Sequence, residues 1–122
     1  METPKSTLVL GASDNPARYS YLALQRLQQH GHPVRGIGKR PGRVGAVEIL
    51  PQAPDYPGIH TVTVYLSPAN QRAYYDYVIR LRPARVIFNP GAENPEFAAL
   101  LTRNGIPYVD ACTLVLLSTG QY

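Results

Sequence analysis

The chain carries a single cysteine, Cys112, so it can form no internal disulfide and offers no Cys-x-x-Cys metal pair. That usage fits a reducing compartment. Long apolar runs are also missing. The first covers only Leu8 to Leu10, against the roughly 18 residues a membrane span needs. Glu2 and Pro4 near the start do not resemble a secretory leader, and the expectation is a cytoplasmic protein without a membrane segment. No long basic tail and no low-complexity segment is present. A Gly-x-Ser-x-Gly nucleophile elbow and a Walker phosphate loop are absent too. His30, His32 and His60 do not make a metal set, so no metal is expected.

What remains is 122 residues, 44% of them hydrophobic, which suits one domain over 1–122 with a single core. The net charge of +4 suits either nucleic acid or a phosphorylated small ligand. Its location separates the two. Arg35, Lys39, Arg40 and Arg43 form one basic cluster, and Arg80, Arg82 and Arg85 form another. Aromatic residues do not interleave with either, which argues against nucleic acid. Arg80 and Arg82 close a helix, where cations complement the negative end of the dipole. The nine tyrosines read mainly as structural. Tyr74, Tyr75 and Tyr77 also suit an oligomer surface, so a homodimer or a partner enzyme stays open.

Along the chain, Thr7 to Leu10 reads as a strand, and Tyr19 to His30 as a helix with Ala23, Leu24 and Leu27 inward. Gly31 ends it in the position that needs a left-handed backbone. Val34 to Gly38 is a second strand. Residues 40–58, rich in Pro and Gly, read mostly as loop, with room for a short extended piece at Val47 to Leu50. His60 to Leu66 alternates Thr and Val, which favours a strand at the far edge of the sheet. Ser67-Pro68 and Asn94-Pro95 each supply a cap followed by proline at the start of a helix. Tyr74, Tyr77, Val78 and Leu81 line the first of these helices; Phe97, Leu100 and Leu101 line the second, up to Asn104-Gly105. Arg85 to Asn89 and Pro107 to Asp110 are strands. Leu114 to Leu117 reads as a buried terminal helix, although periodicity alone leaves a strand open.

Strands alternating with helices imply an α/β fold: a doubly wound, Rossmann-like parallel sheet of about five strands, in the order 3-2-1-4-5, with helices on both faces. In such sheets a ligand sits beyond the carboxyl ends of the strands, where the order reverses. That filter selects Gly11 to Ser20, Gly38 to Arg40, Leu66-Ser67, Asn89 to Asn94 and, more distantly, Ala111 to Thr113. The first of these follows a strand and leads into a helix, so its N–H groups surround the positive end of a dipole and suit a phosphate. An ordinary strand-to-helix turn would use the same Gly, Asp, Asn and Pro residues. Gly11 stands at the first glycine of a dinucleotide fingerprint, but Ser13 and Pro16 replace the second and third. An NAD site also presents an acid about 20 residues on; Gly36 to Gly42 contains none and offers Lys39 and Arg40 instead. Cations suit a ribose phosphate, so NADP and coenzyme A both pass this test.

Three segments at strand ends, Gly11-Ala12-Ser13-Asp14-Asn15-Pro16, Asn89-Pro90-Gly91-Ala92-Glu93-Asn94 and Asp110-Ala111-Cys112, resemble the CoA-binding domain family. Its members are single-domain relatives of the CoA-binding part of succinyl-CoA synthetase, and the likeness runs from about Ser6 to Thr119. The resemblance implies that Gly11, Ala12, Ser13, Asn15, Arg18 and Tyr19 face the CoA phosphates. It implies that Gly38, Lys39 and Arg40 lie near the 3′-phosphate, and that Leu66, Ser67, Asn89, Pro90 and Gly91 flank the adenine or pantetheine. Family members often carry Val-Asn-Pro after strand two; here the chain reads Ile37-Gly38-Lys39-Arg40-Pro41, which keeps basic charge. The resemblance places Cys112 near the reactive end of CoA, and the expectation is a mixed disulfide with the CoA thiol under oxidation. The implied function is a bacterial-type CoA or acyl-CoA binder, acting as a carrier, sensor or accessory protein without a complete catalytic site. The alternative is a small NADP-dependent oxidoreductase.

Overall fold

All four residues of the first strand, β1 (Thr7–Leu10), are buried, because the strand runs through the middle of the sheet and is covered on both faces. The computed structural model describes residues 3–122; Glu2, which argued against a leader, lies outside them. After β1 come helix α1 (Tyr19–Gln29), β2 (Val34–Ile37), β3 (Gly42–Val44), β4 (Val47–Leu50) and β5 (Thr61–Val64). The remainder comprises α2 (Pro68–Gln71), a 3-10 turn, α3 (Tyr75–Leu81), β6 (Arg85–Phe88), α4 (Pro95–Arg103), β7 (Tyr108–Asp110) and α5 (Thr113–Ser118). Gly31 closes α1 at φ +81°, and the Asn94 side chain accepts from the Phe97 amide to cap α4, both as the sequence suggests. Ser67 does not cap α2 with its side chain.

The Rossmann-like α/β architecture is as expected, but the sheet has seven strands in the order β3-β4-β2-β1-β5-β6-β7. The expected order 3-2-1-4-5, with the Thr61–Val64 strand at the far edge, is therefore incorrect. That strand pairs in parallel with β1, from Thr7↔Thr61 to Leu10↔Val64. The outer place beside β2 belongs to β4, the short extended piece at Val47–Leu50 for which the sequence left room within a stretch that otherwise reads as loop. The Thr/Val alternation misled because both threonines are buried yet bonded inside. Thr61 accepts from Arg85 Nε at 2.9 Å, and Thr63 pairs with the Thr113 hydroxyl at 2.8 Å. A satisfied hydroxyl removes the penalty that would push threonine toward solvent.

Gly45, at φ +60°, opens the two-residue turn that folds β3 antiparallel onto β4. The crossover from β2 to β4 thus contains a strand where a helix is usual. Counted without β3, the parallel strands follow the doubly wound order 3-2-1-4-5-6, which reverses between β1 and β5. On one face Leu8, Leu10, Val62, Val64, Val86 and Phe88 pack with Tyr77, Val78, Phe97 and Leu101 of α3 and α4. On the other, Val9, Ile49 and Ile87 pack with Leu24 and Leu27 of α1 and Leu117 of α5. No described helix is long and apolar enough to cross a membrane.

Candidate functional site

The bend after β1 is tied directly to the end of β2. Gly11, at φ +94°, and Ala12 both donate their amides to the Ile37 carbonyl, at 2.9 and 2.8 Å. The Ala12 carbonyl in turn lies so close to Gly38 that a methyl group on Gly38 would collide with it. Further along, a methyl on Gly42 would stand 2.6 Å from the Asp14 carboxylate. Lys39 and Arg40 leave β2 between these two contacts, both exposed. The Ser13-bearing bend and the Lys39-Arg40 pair therefore share one mouth of the sheet.

Within the bend, the Ser13 hydroxyl accepts from the Asn15 amide at 3.0 Å, and Asn15 Oδ1 accepts from the Ala17 amide at 3.0 Å. The amides of Ser13, Asp14, Tyr19 and Ser20 have no acceptor among the described residues. Helix α1 starts without a capping side chain: its N-cap is Arg18, whose side chain offers no acceptor, and its first turn holds no acid. A cation at the positive end of a dipole is unfavourable by itself and becomes favourable when an anion joins it. Tyr19, 72% exposed, flanks the same opening.

On the far side of the bend, Leu66 packs against Gly11, its side chain 3.1 Å from where a methyl would stand. Ser67 is exposed beside it, and its hydroxyl accepts from Asn70 Nδ2 at 3.1 Å. Strand β6 pairs with β5 and not with β1, so Asn89, Pro90 and Gly91 stand one strand further from the bend than the expected order implied. Pro90 and Gly91 are exposed, whereas Asn89 is 2% exposed. Its Nδ2 donates to Thr63 Oγ1 at 2.7 Å and to the Val64 carbonyl at 2.9 Å, and its Oδ1 accepts from the Thr113 amide at 2.9 Å. The Asn89 amide is thus committed to joining β5, β6 and α5. Cys112, half-buried, is the N-cap of α5.

The second basic cluster lies elsewhere. Arg85, at the start of β6, donates to Thr61 and to the Tyr122 main-chain oxygen and covers the Tyr122 ring, at the opposite end of the strands. Arg82 closes α3 in the left-handed region at φ 48° and donates to the Asn104 carbonyl at 3.2 Å. No group of three or more potential metal ligands occurs among the described residues.

A CoA-binding-domain profile matches residues 5–118. The chain belongs to the CoA-binding domain family. No curated protein matches it. Among solved structures, this family member is similar to an uncharacterised protein at 45% identity and TM-score 0.96, covering 99% of this chain and 100% of the other. A hypothetical protein from Pyrococcus horikoshii OT3 shares the fold at 22% identity and TM-score 0.85, over 95% of this chain and 83% of that one. So does a Thermus thermophilus protein at 24% identity and TM-score 0.84, over 98% and 91%.

Two residues at this crevice carried no sequence signal. Gln71 is fully buried between the loops after β5 and β6. Tyr65, just past β5, buries its hydroxyl without a hydrogen-bond partner. Burial, and secondarily the neighbouring Cys112, push that phenol well above the usual tyrosine range, partly offset by the Thr113 and Thr63 hydroxyls. Those two hydroxyls are bonded to each other. An unmet buried hydroxyl costs about 1–3 kcal/mol, so Tyr65→Phe is expected to leave stability unchanged or raise it by about 1 kcal/mol. Urea unfolding measures this; a clear loss of stability would mean that the phenol is bonded to a threonine.

Proposed function

We propose that the chain binds coenzyme A or an acyl-CoA across the carboxyl ends of β2, β1, β5 and β6, as a carrier, sensor or accessory protein. The pyrophosphate lies against the bend, held by the amides of Ser13, Asp14, Tyr19 and Ser20, with the Arg18 side chain completing the contact. Lys39 and Arg40 hold the ribose 3′-phosphate. The pantetheine arm passes between Leu66-Ser67 and Pro90-Gly91 toward Cys112. Asn89 supports the arm from beneath and does not touch it.

One observation carries this reading: Gly38 lies directly against the Ala12 carbonyl, and this closeness of the segment bearing Lys39 and Arg40 to the bend after β1 supports their sharing one ligand. The residues also fit the group chemically. An uncapped helix start with an arginine at its N-cap lacks an anion, and Gly38 has no side chain to obstruct the approach of the bend. Family membership adds the ligand class. NADP carries a ribose phosphate as well, but the CoA-binding family match favours CoA as the ligand class.

The test is a calorimetric titration with CoA, dephospho-CoA and NADPH. CoA is expected to bind at least tenfold tighter than dephospho-CoA, with no measurable NADPH binding. NADPH binding in place of CoA would make the oxidoreductase reading the better one.

A further inference from the structure

We infer that Gln71 is a positioning residue for the crevice: it fastens the loop after β5 to the loop after β6 and so sets the gap through which the ligand arm runs. This rests on the CoA reading above. Gln71 ends the single-turn helix α2 and has no exposed surface. Its Nε2 donates to the Leu66 carbonyl at 2.9 Å and to the Ala92 carbonyl at 2.8 Å. Its Oε1 accepts from Asn94 Nδ2 at 2.9 Å. One side chain therefore holds both lips of the crevice, Leu66-Ser67 on one side and residues 90–94 on the other.

No ladder does this work, because the β5–β6 register ends at Val64↔Phe88, before either loop begins. Asn94 extends the clamp. Its Oδ1 caps α4 at Phe97, and its Nδ2 also donates to the Tyr75 hydroxyl at 2.9 Å. That hydroxyl donates to Glu96 at 3.1 Å, and Glu96 meets Arg72 Nε at 3.4 Å. A leucine at position 71 would fill similar volume but strand two carbonyls, and a fully connected buried amide keeps a unique spacing that apolar packing does not.

A purely structural glutamine would change the binding of every ligand alike; a positioning one acts on the arm. Adenosine 3′,5′-bisphosphate keeps the ribose phosphate and lacks the pantetheine, so it separates the two. Gln71→Met removes all three bonds. Asn94→Asp keeps the α4 cap and breaks the link to Gln71 Oε1, and it serves where Gln71→Met fails to fold. Each variant is expected to weaken CoA at least fivefold while changing adenosine 3′,5′-bisphosphate less than twofold. Equal loss for both ligands, or no loss for either, overturns the inference and leaves the CoA reading intact. Wild-type protein that binds neither ligand overturns the CoA reading and this inference with it.

Discussion

Gly38→Ala is expected to destabilise the protein by about 3 kcal/mol and to lower CoA affinity at least tenfold. Gly38 does not have a left-handed backbone, so the effect comes from space alone. The added methyl would meet the Ala12 carbonyl oxygen, with Ile49 Cγ2 at 3.0 Å behind it. Neither neighbour can retreat easily. Ala12 is held by the bonds from its own amide and that of Gly11 to the Ile37 carbonyl, and Ile49 belongs to the buried core under α1. Relief must come from the bend, and moving it displaces the Ser13 and Asp14 amides from the uncapped start of α1. Urea unfolding reads the first effect, and titration of the folded variant reads the second. Wild-type values for both would show that the bend can shift freely and is not a preformed cradle.

The legible parts of this fold were those governed by near neighbours. Leu24 and Leu27 one turn apart, Gly31 after them, and Asn94-Pro95 before Phe97 each act within a few residues, and each folds as the pattern implies. What escaped depends on distant partners. Thr61 and Thr63 look half-exposed until Arg85 and Thr113 supply their hydrogen bonds across more than twenty residues. With β5 misplaced to an edge, the Val47–Leu50 piece had no outer place to fill. The crevice suffered less, because every candidate loop leaves the carboxyl end of a strand whatever the lateral order. The order changed which loops are neighbours. Leu66 meets Gly11 directly, and Asn89 is drawn into the protein as a tie between strands. Gln71 was invisible for a related reason: a glutamine in a polar helical turn gives no sign that two carbonyls from separate loops will close over it.

Lys39→Ala combined with Arg40→Ala is expected to weaken CoA about 30-fold while leaving dephospho-CoA within about twofold. Both side chains are exposed and, among the described residues, make no hydrogen bond or ion pair, so their removal should leave stability unchanged. On the proposed reading each would form a charge-assisted contact with the 3′-phosphate worth about 1 kcal/mol at so open a site, and together about 2 kcal/mol, the stated ratio. A diffuse basic surface predicts otherwise. Cations acting only through the general field attract both ligands, since each keeps its pyrophosphate, and the losses would then run in parallel and fade together in salt. The ratio between the two ligands is therefore the informative quantity, not the affinity for either. Arg18→Ala supplies the opposite pattern: Arg18 is the N-cap of α1, and if it holds the pyrophosphate as proposed, its loss should weaken CoA and dephospho-CoA alike. If the double variant lost affinity for the two ligands equally, the 3′-phosphate would not lie at the end of β2. The missing acid there would then carry no information about the ligand.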